Sequence, residues 1–165
     1  TRSDIHSIPI AEYIMRAALD YREQAQRWRA AQAERRWAYH EWDEVCGTTW
    51  VVVGMGSIGA EVAVRARAFG ARVIGVRRRP PSDEPVDEMV TPEELHRVLP
   101  EADIVILAVP LSEETRGLVD GAFLDLLPPG ALVVNVSRGP IVDTDALVER
   151  VPSGAVRCAL DSVNP

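Results

Sequence analysis

Two kinds of residue in this chain have a type and spacing suited to chemistry: glycines that let a backbone close on a phosphate, and charged side chains at the ends of apolar runs. Gly54-Met55-Gly56-Ser57-Ile58-Gly59 follows a β-branched run and opens a helical one. In that setting the first glycine permits a tight turn, and the second lets main-chain N–H groups approach a pyrophosphate. The third lets helix and strand pack closely, with the phosphates on the helix N-terminus. The motif predicts dinucleotide binding; the alternatives are a plain glycine turn or a related sheet holding another nucleoside. Roughly 20 residues beyond these glycines, where NAD-binding units place an acidic residue for the ribose hydroxyls, stand Arg77, Arg78 and Arg79. A guanidinium there pairs with a 2′-phosphate through its planar fork, so NADP(H) is favoured while NAD(H) stays open. The alternative is a solvated arginine turn.

Three further strand ends carry candidate residues. Ala108-Val109-Pro110-Leu111, with Thr115 nearby, ends a run at a proline, and by itself this is a strand terminator. Asn135-Val136-Ser137-Arg138-Gly139-Pro140 places an arginine at a carboxyl end, where its fork suits a carboxylate with an adjacent carbonyl; a surface ion pair is the alternative. Ala159-Leu160-Asp161 ends the last run with a carboxylate that either accepts a hydrogen bond from a nicotinamide carboxamide or caps a turn.

The elements that must position these residues follow from hydrophobic periodicity. Short apolar runs at Thr49–Val53, Arg72–Val76, Asp103–Ala108, Ala131–Val136 and Val156–Leu160 are mostly continuous, as strands covered on both faces should be. Helical segments at Ile58–Phe69, Pro92–Leu99, Gly121–Leu127 and Asp143–Arg150 alternate with them, punctuated by Gly70, Pro100, Pro128-Pro129-Gly130 and Pro152-Ser153-Gly154. This alternation predicts an α/β fold, a doubly wound parallel sheet of the Rossmann dinucleotide-binding type. Ahead of it, Ser7-Ile8-Pro9 reads as a helix start with an apolar stripe at Ile8, Ala11, Ile14, Met15, Ala18 and Leu19. From Tyr21 to Trp42 the chain turns Arg/Glu/Gln-rich with Trp28, Trp37, Tyr39 and Trp42 interleaved, which suits either an arm packed on a neighbour or a solvated helix.

Composition sets the bounds. A chain of 165 residues makes one domain, and 47% hydrophobic with 26% charged residues supports a packed core. Net charge is −7, against a nucleic-acid groove. All 18 basic residues are arginine, which removes Schiff-base lysine chemistry and the P-loop. Apolar runs of about seven residues are too short to span a membrane. Cys46 and Cys158 show no disulfide or metal spacing, so a reducing cytoplasm and no metal are expected.

Taken in order, Gly54–Gly59, Ala102–Leu111, Leu127–Gly139 and Ala159–Asp161 resemble the D-isomer-specific 2-hydroxyacid dehydrogenase family over nearly the whole chain, from Ile8-Pro9-Ile10 to Pro165. The resemblance implies that Arg138 holds the carboxylate and carbonyl of a small 2-keto or 2-hydroxy acid. It implies cofactor contacts from Gly54, Gly56, Ser57, Ile58, Gly59, Val109, Pro110, Thr115, Val136 and Asp161, and a homodimer. Arg77 and Arg78 stand where NAD-using members are acidic, as in the NADPH-type glyoxylate and hydroxypyruvate reductases. The family's acid/base pair, a Glu shortly after Asp161 and a His further on, has no counterpart; His6, His40 and His96 are expected to be structural or solvent-facing.

Residues 1–165 are accordingly expected to be a dinucleotide-binding domain, with 1–46 an interdomain helix and dimer arm and the substrate domain missing at both ends. Such a chain, lacking a general acid worth typically 10²–10⁴-fold, should bind cofactor and turn over little. A non-catalytic dinucleotide sensor, like the corepressors that share this fold, and a formate- or phosphite-type dehydrogenase are the competing readings.

Overall fold

The computed structural model describes residues 4–79 and 84–163; Pro80 and the extreme termini, Thr1 to Ser3 and Pro165 among them, lie outside the described residues. Six parallel strands form one sheet in the order β3-β2-β1-β4-β5-β6. They are β1 (Thr49–Val53), β2 (Arg72–Val76), β3 (Glu88–Val90), β4 (Ile104–Leu107), β5 (Ala131–Asn135) and β6 (Val156–Leu160). The strand order reverses between β1 and β4, and such a switch point is where open α/β sheets hold their ligands, outside the carboxyl ends of the strands.

The continuously apolar runs are the strands with both faces covered: β4 and β5 are buried at every position. Their side chains alternate between two cores. Val51, Val53, Val105, Leu107 and Val133 pack with Leu95, Val98, Phe123 and Leu147 on one side. Trp50, Val52, Ile104, Ile106 and Val134 pack with Ile14, Val62 and Ala66 on the other. The second core is roofed by α1 (Asp4–Arg22) and α3 (Ser57–Ala68), where small residues Ala11, Ala18, Ala63 and Ala66, all fully buried, let the two helices approach. The buried Trp50 indole is satisfied by donating to Thr48 Oγ1 at 2.9 Å. On the opposite face Arg150 of α6 (Thr144–Arg150) forks onto Asp125 of α5 (Gly121–Asp125) at 2.8 and 3.0 Å, and this guanidinium holds the Asp125 carboxyl below its ordinary range.

Four features differ from the sequence expectation. β3 was not expected: three residues are too few to show a period, yet Ile74, Gly75 and Val76 pair with Glu88, Met89 and Val90. The segment expected as one helix over Pro92–Leu99 is a 3₁₀ turn at Pro92–Glu94, a single turn α4 (Leu95–Val98) and a second 3₁₀ turn at Leu99–Glu101, because prolines sit near both ends. α1 begins at Asp4 and carries Pro9 inside it, and Ile8 of the expected stripe is half exposed.

The fourth difference is the arm. Gln24 takes a left-handed conformation at φ 52°, ending α1 and redirecting the chain into the short α2 (Ala25–Ala33), after which the backbone to β1 is irregular. Its aromatics make a cluster of their own: Trp28 stacks obliquely on His40 at 4.9 Å and meets Trp42 edge-on at 5.3 Å. Trp37 is 93% exposed and Tyr39 76%. No helix among the described residues is long and apolar enough to cross a membrane.

Candidate functional site

The residues singled out above stand in one row along the carboxyl edge of the sheet, because the first amide after most strands bonds the last carbonyl of a neighbour. Arg77 N–H donates to Val90 O, Gly54 N–H to Val76 O, Ala108 N–H to Val53 O, Val136 N–H to Leu107 O and Asp161 N–H to Asn135 O, at 2.8 to 3.3 Å. The glycine turn, the arginine run, Val109-Pro110, Val136 with Arg138, and Asp161 thus come from five strands to one edge.

The glycine turn has the geometry a pyrophosphate needs. Gly54 sits at φ +104°, and a Cβ there would meet Ala108 O at 2.5 Å and Val109 Cγ1 at 2.8 Å, so β1 and the chain after β4 approach as closely as they do only without a side chain. At Gly59 a Cβ would run into the Gly54 carbonyl oxygen, and it would lie 3.2 Å from Val52 Cγ1, which fixes how α3 packs on β1. Gly56 faces open space, with nothing within 4 Å of where a Cβ would stand. It is also the N-cap of α3, and no side chain caps this 12-residue helix. Its first N–H groups therefore point toward solvent at the positive end of the helix dipole, beside a cradle bare of side chains. This fits a dinucleotide pyrophosphate held by Gly56, Ser57 and Ile58.

The arginine run divides. Arg77 is half-buried and its Nη1 donates to Glu84 Oε1 at 2.6 Å, so its charge is engaged within the protein. The Arg78 side chain is 78% exposed and only loosely paired with Glu114 at 3.7 Å, across the mouth of the edge from the segment after β4. Arg79 is exposed. Thr115 works inside that segment: its hydroxyl donates to Pro110 O at 2.8 Å and accepts from Ser112 N–H at 2.8 Å, fixing the turn that follows Pro110.

Arg138 is exposed, its Nη1 donating to the neighbouring Ser137 carbonyl at 2.7 Å, and among the described residues no carboxylate pairs with it. The Asp161 side chain is likewise exposed, and Val136 is buried beneath the edge. The sequence reading passed over two residues that shape this corner. Asn135, fully buried at the end of β5, accepts from Ser137 N–H at 2.9 Å and donates to Arg138 O at 3.0 Å. Ser137 Oγ donates to Leu107 O at 2.9 Å. The available signal was an Asn at a strand end two residues before the turn it closes. Of the histidines, His40 belongs to the aromatic cluster, its Nε2 3.1 Å from Glu23 O, while His6 and His96 are exposed on α1 and α4. Among the described residues no group of His, Cys, Asp and Glu could hold a metal ion.

Residues 15–165 match the model of the D-isomer specific 2-hydroxyacid dehydrogenase, NAD binding domain. The chain belongs to this family. As a member of the D-isomer-specific 2-hydroxyacid dehydrogenases it is 39% identical over 113 residues to the glyoxylate reductase of Thermococcus gammatolerans, covering 67% of this chain and 33% of the relative. It is 38% identical over 117 residues to the hydroxypyruvate reductase of Thermotoga maritima, covering 70% and 37%. The D-isomer specific 2-hydroxyacid dehydrogenase from Xanthobacter autotrophicus Py2, solved in complex with NADPH and MES, superposes with a TM-score of 0.86 at 32% identity, over 96% of this chain and 66% of that one. The chain spans about a third of the length of the curated relatives it matches. Residues 15–165 are the family's NAD-binding domain, and relatives named as reductases do not favour the sensor reading.

Proposed function

We propose that this domain serves an enzyme that moves a hydride between NADP(H) and a small 2-keto or 2-hydroxy acid. The observation that carries the reading is the placement of Arg138, a guanidinium without a carboxylate partner among the described residues, on the same sheet edge as the glycine turn. Its fork takes the substrate carboxylate and the adjacent carbonyl oxygen, which binds the acid, orients its carbonyl carbon and stabilises charge developing on oxygen. The bound nicotinamide supplies the hydride. Gly54, Gly56, Ser57, Ile58 and Gly59 form the pyrophosphate cradle. Val109, Pro110 and Val136 form apolar walls, and Thr115 keeps the Pro110 turn in place. Asp161 would accept a hydrogen bond from the nicotinamide carboxamide. Glyoxylate and hydroxypyruvate, in the names of two relatives, are both 2-keto acids, and that class suits a site built on one arginine fork.

The cofactor preference rests on Arg77 and Arg78. With Arg77 held by Glu84, the exposed Arg78 is the side chain with the greater freedom to meet a 2′-phosphate, and Arg77 shapes the turn and adds field. Calorimetric titration should show NADPH binding more tightly than NADH. Arg78→Asp should weaken NADPH by about tenfold, the worth of one hydrogen bond to a charged group, and Arg77→Asp by less, while both leave NADH within about twofold. Equal affinities in the unaltered chain would remove the preference and reduce the arginines to a surface turn.

Residues 1–46 we assign to a linking helix and an arm by which two copies associate, in a reducing compartment such as the cytoplasm; the support is the exposed Trp37 and Tyr39 and the two free cysteines. Sedimentation equilibrium should show a dimer that Trp37→Glu with Tyr39→Glu converts to monomer. A monomeric unaltered chain at tens of micromolar would contradict the assignment.

A further inference from the structure

We infer that Asn135 is the positioning residue of the substrate corner, setting Arg138 and Asp161 relative to one another through its side-chain amide and its backbone carbonyl. The inference rests on the reading of Arg138 as the group that holds the acid. Asn135 ends β5 with a side chain that is fully buried. A buried carboxamide must satisfy its donor and its acceptor. Here both are spent on the turn that carries Arg138: the oxygen takes Ser137 N–H at 2.9 Å and the nitrogen gives to Arg138 O at 3.0 Å.

The two bonds close a ring around Val136 to Arg138, holding Arg138 in an extended conformation at φ −143°, ψ 148° so that its side chain leaves the sheet edge. Asn135 also works through its backbone, since its carbonyl accepts Asp161 N–H at 3.0 Å. Ser137 completes the brace by bonding Leu107 O of β4. Among the described residues the Arg138 guanidinium is anchored by the Ser137 carbonyl alone, so it keeps its place only as well as the turn beneath it does.

The chemistry of the amide is specific. Aspartate has the same shape and can still accept from Ser137 N–H, but it offers Arg138 O a second acceptor where a donor is required. Alanine removes both bonds: it strips Ser137 N–H of its buried acceptor and leaves Arg138 O with Ile141 N–H at 3.2 Å alone.

The test reads position and binding separately, in the 165-residue chain with saturating NADPH. Backbone order at Ser137 to Gly139 is measured by ¹⁵N relaxation, and affinity is measured for oxamate, a carboxylate beside a carbonyl. In the unaltered chain we expect order parameters near 0.85 in the turn. In Asn135→Asp and Asn135→Ala they should fall below about 0.6, with oxamate about tenfold weaker and NADPH within about threefold of its original affinity. Because Asn135 acts through Arg138, the oxamate loss should disappear when Asn135→Asp is made in an Arg138→Lys background, whereas a general loss of stability would add in both.

Ser137→Ala, which leaves the amide ring intact, guards against a variant that fails to fold, and should produce a smaller change of the same kind. Retained order and oxamate affinity in the Asn135 variants, or equal losses in both backgrounds, would overturn the inference. An unaltered chain that binds NADPH but not oxamate would overturn the Arg138 reading instead, and Asn135 would then stand or fall on the order of the turn alone.

Discussion

Alanine in place of Gly59 is expected to cost the chain both stability and its dinucleotide. A methyl group there would occupy the space of the Gly54 carbonyl oxygen and lie 3.1 Å from the Gly54 carbonyl carbon and 3.2 Å from Val52 Cγ1. Two of these neighbours are backbone and the third is a fully buried strand residue, so none can swing aside. Either α3 lifts from β1 or the turn opens. Overpacking of this kind costs about 1–3 kcal/mol, which for a chain of this length lowers the melting temperature by roughly 2–12 °C. The same displacement moves the amides of Gly56 to Ile58 off the pyrophosphate, and losing one hydrogen bond to a charged group, about 1.5–3 kcal/mol, weakens binding about 10–150-fold. Thermal denaturation and calorimetry on the variant check both effects. Wild-type dinucleotide affinity in a folded Gly59→Ala chain would mean that the cofactor does not sit on this turn.

Lysine in place of Arg138 should weaken recognition of the acid while leaving the cofactor where it was. Lysine keeps the charge but cannot span a carboxylate and its neighbouring carbonyl with a planar pair of donors. One lost charge-assisted hydrogen bond is worth about 1.5–3 kcal/mol, so oxamate affinity in the NADPH-loaded chain should fall about 10–150-fold. NADPH affinity should change by less than about twofold, because the guanidinium lies at the end of β5, with β4 between it and the glycine turn on β1. A loss of NADPH in parallel with oxamate would instead place Arg138 in the cofactor site.

The parts of this site that were legible in the sequence are the ones encoded locally. The glycine turn could be read because a strand, three spaced glycines and a helix follow one another within a few residues, and each glycine has a steric reason that the structure bears out at Gly54 and Gly59. The parallel sheet could be read because β1, β4 and β5 are continuously apolar apart from Thr49 and Asn135 at their ends, as strands covered on both faces should be.

What escaped depends on partners distant in the chain or on elements too short to have a period. β3 exists because Glu88 to Val90 lie beside β2, and nothing in those three residues announces it. The pairing of Arg77 with Glu84 joins a side chain at the end of β2 to one on the approach to β3, which no local pattern announces, and it shifts the weight of the 2′-phosphate reading toward Arg78. The break at Gln24 is a left-handed residue in a stretch of good helix formers, where tertiary context outweighs propensity. Asn135 is an intermediate case: its Asx-type turn is a local device, but its value shows only when Arg138 and Asp161 are seen to hang from it.

The most direct measurement is the map of backbone amide shifts when NADPH is added to the ¹⁵N-labelled chain. The largest changes are expected at Gly54 to Ile58, with further changes at Arg77 and Arg78, Val109, Val136 to Arg138 and Asp161, a single row along the carboxyl edge. Changes centred elsewhere, or none at saturating cofactor, would contradict the central claim that this edge is a dinucleotide site.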